Sequence, residues 1–173
     1  DVSNDRRLKD RVAVITGAAQ GIGLGIAERL AAEGAIAILA DIKAEAAGAA
    51  AKRMADQGYV AEAMPVDISD DASVRELAAA VGRKYGRCEI LVNNAAVGAD
   101  THIETMTMEE YHRIVGINQD GAVRMAMAFV PLLKKGGDGR RIVNVASIQG
   151  LRGWPNQLAY ATAVQVLEGV AGQ

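Results

Sequence analysis

RVAVITGAAQGIGLGIAERLAAEGAIAILAD, residues 11–41, decides the fold. RVAVITG (11–17) is a short apolar run rich in β-branched residues, as a buried strand requires. AAQGIGLGIAERLAAEG (18–34) opens on glycines and then places Ile22, Ile26 and Leu30 at four-residue steps, one face of a helix. Gly34 follows the last apolar turn, where a left-handed C-cap is wanted. AIAILAD (35–41) is a second buried-strand run that ends on an acid. The unit is strand–helix–strand, with its glycines at the point where strand becomes helix.

That point has a physical use. The first N–H groups of a helix lack internal partners and carry the positive end of the dipole. A diphosphate can fill the site if the backbone comes close enough, and Gly17, Gly21 and Gly23 remove the Cβ atoms that would block it. Asp41, at the tip of the second strand, can accept hydrogen bonds from a ribose diol and would repel a 2′-phosphate. A glycine-rich turn can also be purely structural. The two strands, the helix and the terminal acid together favour nucleotide binding.

Bulk properties narrow the class. A chain of 173 residues, half of them apolar, is long enough for one sizeable core and is not disordered. Net charge is −2 and no basic stripe is present, which argues against nucleic acid as a partner. The single cysteine, Cys88, excludes an internal disulfide framework and fits a reducing compartment. No apolar run reaches membrane-spanning length, and DVSNDRRLKD (1–10) has no signal-peptide core. The expectation is a soluble cytoplasmic protein. The first residue is Asp1 rather than methionine, which points to processing or trimming.

Outward from residues 11–41 the alternation continues. Residues 1–10 read as a loose arm, with Leu8 against the first strand. Residues 43–57 read as helix, stopped by Gly58, and Tyr59–Val66 as a third strand. Asp70–Tyr85 reads as a helix capped by Ser69 or Asp70, with Val74, Leu77, Ala78 and Val81 inward. CEILVNNAA (88–96) is a fourth strand, and 107–134 a long helix with Tyr111, Ile114, Val115, Asn118, Ala122, Met125, Phe129 and Leu132 on one face. RRIVNVAS (140–147) is a fifth strand, and a last helix starts near Leu158. Short connections between alternating strands and helices predict one α/β domain over 1–173, a parallel sheet covered on both faces.

Ligands of such sheets bind outside the carboxyl ends of the strands, where Asp41, Asp67, Asn93, Asn94 and Ser147 fall. Asp67 fits either an adenine amino group or the start of the next helix. Asn93 and Asn94 fit either a cofactor or a turn that holds its own backbone. Asn118, an amide on an apolar helix face, must find partners or cost about 1–3 kcal/mol, and a core network would satisfy it as well as a site would. Ser147 and Tyr160 could share one carbonyl oxygen for proton transfer, although spacing alone favours a capping serine and a partly buried tyrosine. Trp154 either walls a pocket or pins its loop. His102 and His112 lack partners at metal-ligand spacing and read as surface residues, so no metal site is expected. Cys88 reads as buried and inert, and Met125 and Met127 as core or interface.

These residues resemble the short-chain dehydrogenase/reductases of the single-domain type. TGAAQGIG (16–23) resembles the family's Thr-Gly-x-x-x-Gly-x-Gly loop, and NNAA (93–96) its Asn-Asn-Ala-Gly, with Ala96 for the glycine. Asp41 matches the acid that favours NAD over NADP, and Asp67 the acid beside the adenine. The resemblance implies a doubly wound Rossmann fold and a catalytic set of Asn118, Ser147 and Tyr160. It implies NAD contacts at Gly17, Gln20, Gly21, Ile22, Gly23, Asp41, Asp67, Ile68, Asn94, Ala95 and Tyr160. The implied reaction moves hydride between nicotinamide and a secondary alcohol or ketone, with a polyol or sugar mildly preferred. The implied assembly is a homodimer or homotetramer through the helices at 107–134 and from 158 onward.

Two features depart from the family pattern. Val164 stands where the family has a lysine, one helical turn beyond the tyrosine, that grips the nicotinamide ribose and lowers the phenol pKa. An unassisted phenol is only about 0.1% ionised at neutral pH, and a nearby cation shifts an acid by about 1–3 units. The chain also stops at Gln173, where the family continues into further strands and a substrate lid. That would leave IVNVA (142–146) on an open apolar edge, so a fragment is expected rather than a complete domain. The other expectation, from Val164, is a nucleotide-binding sensor or scaffold without turnover.

Overall fold

In the computed structural model, residues 6–98, 100–152 and 154–170 are described, with side chains through residue 164. Residues 1–5 of the expected arm and Gly153 lie outside the described residues, and of the tail segment LEGVA at 167–171 only the backbone through Val170 is described.

The five strands are β1 (Val12–Thr16), β2 (Ile36–Asp41), β3 (Ala61–Pro65), β4 (Ile90–Asn93) and β5 (Arg141–Asn144). They form one parallel sheet in the order β3-β2-β1-β4-β5. Val12 pairs with Ile36 and Ala13 with Ile90, which fixes the register of the three central strands. The helices are α1 (Gly21–Ala32), α2 (Ala44–Asp56), α3 (Asp71–Tyr85), α4 (Met108–Val115), α5 (Gly121–Lys135) and α6 (Leu158–Val170). The α/β expectation, a doubly wound parallel sheet, is met.

The central strands β1, β2 and β4 read as nearly unbroken apolar runs because alternate residues serve two cores. Val12, Val14, Ile38, Ala40 and Leu91 pack with Val74, Leu77 and Val81 of α3 and with Met125, Phe129 and Leu132 of α5. Ala13, Ile15, Ala37, Leu39 and Val92 face the other way, onto Ala27 and Ala31 of α1 and Ala47, Ala50 and Met54 of α2. That second layer is built mostly of alanine, which lets two helices lie close to the strands.

Several boundaries and faces differ from expectation. The inner face of α1 is Gly23, Ala27 and Ala31, one residue on from Ile22, Ile26 and Leu30. The small residues press on the sheet, Ile26 and Leu30 flank the contact, and Ile22 is 70% exposed. Residues 6–10 are docked rather than loose. Leu8 and Asp10 donate backbone hydrogen bonds to Glu33 and Gly34, and Arg7 pairs with the Glu33 carboxylate at 3.0 Å. Asp70, not Ser69, caps α3, accepting from the amides of Ala72 and Ser73. The fourth strand stops at Asn93 instead of continuing to residue 96, because the Asn94 and Ala95 amides turn to the Thr16 hydroxyl. The helix expected over 107–134 is interrupted by a π-turn at Gly116–Asp120, one wide turn between α4 and α5.

β5 forms the far edge, with Ile142 and Val143 39% and 46% exposed. Among the described residues no helix is long and apolar enough to cross a membrane, and no three His, Cys, Asp or Glu side chains converge as metal ligands would.

Phe129 is the largest fully buried side chain and joins α5 to the sheet. Phe129→Ala should destabilise the fold by about 3–5 kcal/mol. A urea unfolding curve checks this, and a loss below about 1 kcal/mol would contradict the packing described.

Candidate active site

The carboxyl ends of the strands lie side by side in the order β3, β2, β1, β4, β5, so the residues that follow them line one edge of the sheet. Asp67 follows β3, Asp41 ends β2, Gly17 follows β1, Asn94 follows β4 and Ser147 follows β5. The chain runs from β1 out to β2 and β3, then crosses back to β4 on the other side. That reversal opens a crevice between β1 and β4.

The turn after β1 is shaped by close approach. Gly17 has φ +66°, and a Cβ there would lie 2.8 Å from Ala95 Cα. A Cβ on Gly23, in the first turn of α1, would collide with the Gly17 carbonyl oxygen and with Asn94 Nδ2. Gln20 occupies the N-cap of α1 without making a side-chain cap, and no acid sits in the first turn. The first N–H groups of α1 are therefore left for a ligand, the requirement for an anion site.

Thr16 ties β1 to β4. Its hydroxyl donates to the Val92 carbonyl at 3.3 Å and accepts from the amides of Asn94 and Ala95, each at 3.0 Å. Asn94 returns two bonds, its Nδ2 donating to the carbonyls of Thr16 at 2.9 Å and Gly17 at 3.3 Å. Asn94 thus holds the glycine turn itself. Thr16 was not singled out from the sequence, although it opens the quoted glycine motif.

Asp41 is buried at 8% exposure. Its Oδ2 accepts from the Ala19 amide and its Oδ1 from the Lys43 amide, both at 2.9 Å. A carboxylate has about four acceptor sites, so each oxygen keeps capacity for a sugar hydroxyl while the carboxylate stays fixed. Asp67 does not cap α3. Its Oδ1 accepts from the Ser69 amide and hydroxyl, and its Oδ2 has no hydrogen-bond partner among the described residues.

Gly17, Gln20, Gly21, Ile22, Gly23, Asp41, Asp67, Ile68, Asn94 and Ala95 all line one open groove of about 440 Å³. These are all the residues expected at the cofactor except Tyr160. Val97 and Ile117 line the same groove and were missed. Both are ordinary apolar residues in sequence, and only the fold brings them there.

Asn118 is 2% exposed and sits within the π-turn. Its Nδ2 donates to the Val97 carbonyl and its Oδ1 accepts from the Val97 amide, both at 2.8 Å. This reciprocal pair pins the chain beyond β4. Asn93 Nδ2 donates to Asn144 Oδ1 at 2.9 Å, bridging β4 and β5, while its buried Oδ1 has no partner among the described residues. Asn93 and Asn118 line a small pocket of about 10 Å³ with Thr16, Ala95, Val145 and Val164, space for about one water.

Ser147 Oγ accepts from the Gln149 amide at 3.3 Å and so caps the short 3₁₀ turn Ile148–Gly150. Tyr160 is half-buried in the first turn of α6. Helix α6 packs on that 3₁₀ turn, on α4 and on the π-turn, so the elements carrying Asn118, Ser147 and Tyr160 adjoin. The groove lining includes neither Ser147 nor Tyr160. Val164 is 2% exposed and faces the small pocket.

The remaining candidates stay outside. Cys88 is fully buried and its thiol is pushed up to about 12 by desolvation, so it is protonated at neutral pH. His102 and His112 are exposed, and Trp154 is 60% exposed. Met125 is core, whereas Met127 is 73% exposed on α5.

Comparison with known proteins bears on this arrangement. Residues 11–171 match the family model for short chain dehydrogenases. A galactitol 2-dehydrogenase from Agrobacterium fabrum and a sorbitol dehydrogenase from Cereibacter sphaeroides are each 41% identical over 147 residues. Each match covers 85% of this chain and 56% of the relative, so the chain spans little more than half their length. A solved short chain dehydrogenase from Mycobacterium smegmatis superposes with TM-score 0.89 at 32% identity, over 94% of this chain and 69% of that one. A Burkholderia phymatum short chain dehydrogenase/reductase, solved in complex with NAD, superposes with TM-score 0.89 at 29% identity, over 94% and 58%. On the glycine turn, the sheet order and these matches, the chain belongs to the short-chain dehydrogenase/reductase family.

Proposed function

We propose that this chain is the nucleotide-binding portion of an NAD-dependent oxidoreductase acting on a secondary alcohol or its ketone. The observation that carries the proposal is one groove at the carboxyl edge of the sheet. It combines the uncapped N-terminus of α1, the glycine cradle and the buried carboxylate of Asp41. A cradle that Cβ atoms would fill, next to free helix N–H groups, fits a diphosphate. Asp41 fits a ribose diol and opposes a 2′-phosphate by like charge. Asp67 Oδ2 fits an adenine amino group. Nicotinamide, when bound, supplies the hydride acceptor.

The chain's own groups would do the rest. Tyr160 would carry the proton to and from the substrate oxygen. Ser147 would turn its hydroxyl from the 3₁₀ turn to hold that oxygen. Asn118 would keep the chain beyond β4 in place through Val97. The galactitol and sorbitol dehydrogenases among the relatives favour a polyol or sugar. The exposed apolar residues Val123, Met127 and Val130 on α5 favour a homodimer or homotetramer, and the lone buried thiol suits a reducing cytoplasm.

Asp41→Asn keeps the shape but removes the charge that grips the sugar. NAD affinity should fall about 10- to 100-fold, the cost of a hydrogen bond to a charged group, while NADP gains relative to NAD. Calorimetric titration reads both, and an unchanged NAD affinity would overturn the assignment of Asp41.

Val164 supplies no cation one helical turn from Tyr160. Alcohol-dependent NADH formation should rise about 10- to 1000-fold in Val164→Lys, and the pH of half-maximal rate should drop by about 1–3 pH units. NADH fluorescence measures both quantities. A protein that binds NAD but forms no NADH in either version would be a binding protein rather than an enzyme.

A further inference from the structure

Asn93 is 6% exposed at the end of β4, and the two ends of its side-chain amide are treated differently. Nδ2 donates to Asn144 Oδ1 at 2.9 Å and reaches the Ala122 carbonyl at 3.5 Å. A backbone carbonyl only accepts, so the Ala122 contact settles which end of the amide is nitrogen. Oδ1 is left buried and without a partner among the described residues. Folded proteins meet such an acceptor with a side-chain donor or with a buried water.

Asn93 shares a closed pocket of about 10 Å³ with Thr16, Asn118, Ala122 and Val164, among others. Thr16 is no donor to it, because its hydroxyl already donates to the Val92 carbonyl and accepts from the Asn94 and Ala95 amides. Ala122 and Val164 bring only methyl groups. Asn118 is different. Its Oδ1 and Nδ2 each meet the Val97 backbone at 2.8 Å. An amide nitrogen carries two hydrogens, and only one of them is used among the described residues. The pocket wall therefore carries an acceptor that lacks a donor and a donor that lacks an acceptor. No described hydrogen bond joins the two amides directly.

We propose that this pocket is a hydration site: one buried water donates to Asn93 Oδ1, accepts from the second hydrogen of Asn118 Nδ2, and so bridges β4 to the π-turn Gly116–Asp120. The space suits one water, and the two amides give it the two polar partners that a buried water needs. Ile68 and Ala95 line both this pocket and the groove, so the bridge stands directly behind the groove wall. It backs the same wall that Asn118 holds through Val97. The site does not depend on what the groove binds.

Two measurements on the full chain test this. Water-selective NOE and ROE spectra should show a slowly exchanging water at the methyl groups of Ala122 and Val164. Absence of that water overturns the proposal. Urea unfolding then compares Val164→Ile with Val164→Thr, both β-branched like valine, so that the helix propensity of α6 changes little. In a hydrated pocket the extra methyl of isoleucine displaces the water and strands both amides, and the unfolding constant should rise about 5- to 150-fold. Threonine keeps the volume and its hydroxyl joins the water, so the change should stay below about threefold. A dry pocket reverses both signs: isoleucine fills a void and lowers the constant by up to about fourfold, while threonine buries an unpaired hydroxyl and raises it. That reversal, equal losses in the two variants, or no loss in Val164→Ile would overturn the hydration site. If either variant does not fold, the spectra of the unmodified chain decide alone. Neither measurement reads NAD binding, so failure here leaves the nucleotide reading standing.

Discussion

The site depends on how closely β1 and β4 can approach at their carboxyl ends. One hydroxyl, Thr16 Oγ1, donates once and accepts twice, saturating its hydrogen-bonding capacity across the two strands. That fixes Asn94, whose amide then fastens the Gly17 turn. The glycines follow from this contact: Gly17 and Gly23 have no room for a Cβ because Ala95 and Asn94 already occupy the space. The open N-terminus of α1 is a consequence of β4 being anchored against β1, not of the glycine motif alone.

The same contact explains what the sequence could and could not disclose. Strand and helix order was legible because each buried strand is apolar on both faces and each helix begins or ends at a recognisable breaker, such as Gly34, Gly58 and Gly86, all with positive φ. The groove residues of the glycine loop and Asp41 were legible for the same local reason. The inner face of α1 was misplaced because bulk was read as burial. In an alanine-lined layer the smallest residues lie deepest, and Ile22 is left for the groove. Val97 and Ile117 carried no signal, since an apolar residue in a groove looks like one in a core. The π-turn was equally invisible: hydrophobic spacing through 107–134 tolerates one extra residue.

Asn118 shows how a structural duty and a site duty can coincide. Both polar atoms of its amide find a partner in the Val97 backbone, the bland outcome for a buried polar residue. Yet the segment it pins is the groove wall, so satisfying the amide also shapes the site. Asn94 does the same on the glycine side. The two amides hold the chain that follows β4 between them, at Asn94 and at Val97, and leave Ala95 and Ala96 to face the groove.

The proposed nucleotide binding and the proposed proton transfer would draw on different parts of the sheet. The residues that line the groove hang from β1, β2, β3 and the turn after β4, with Asp67 Oδ2 and the first N–H groups of α1 left open. Ser147 and Tyr160, the side chains proposed to handle the proton, follow β5 and open α6. Val164 lies at their junction, an apolar side chain that lines one small pocket with Thr16, Asn93 and Asn118, where Asn93 Oδ1 is buried and without a partner among the described residues. A buried acceptor without a donor costs about 1–3 kcal/mol. A valine cannot relieve that cost, and an ammonium with three donors could. Because the groove's own bonds do not pass through Val164, losing the cation would impair proton transfer more than it would impair the hold on adenosine and diphosphate.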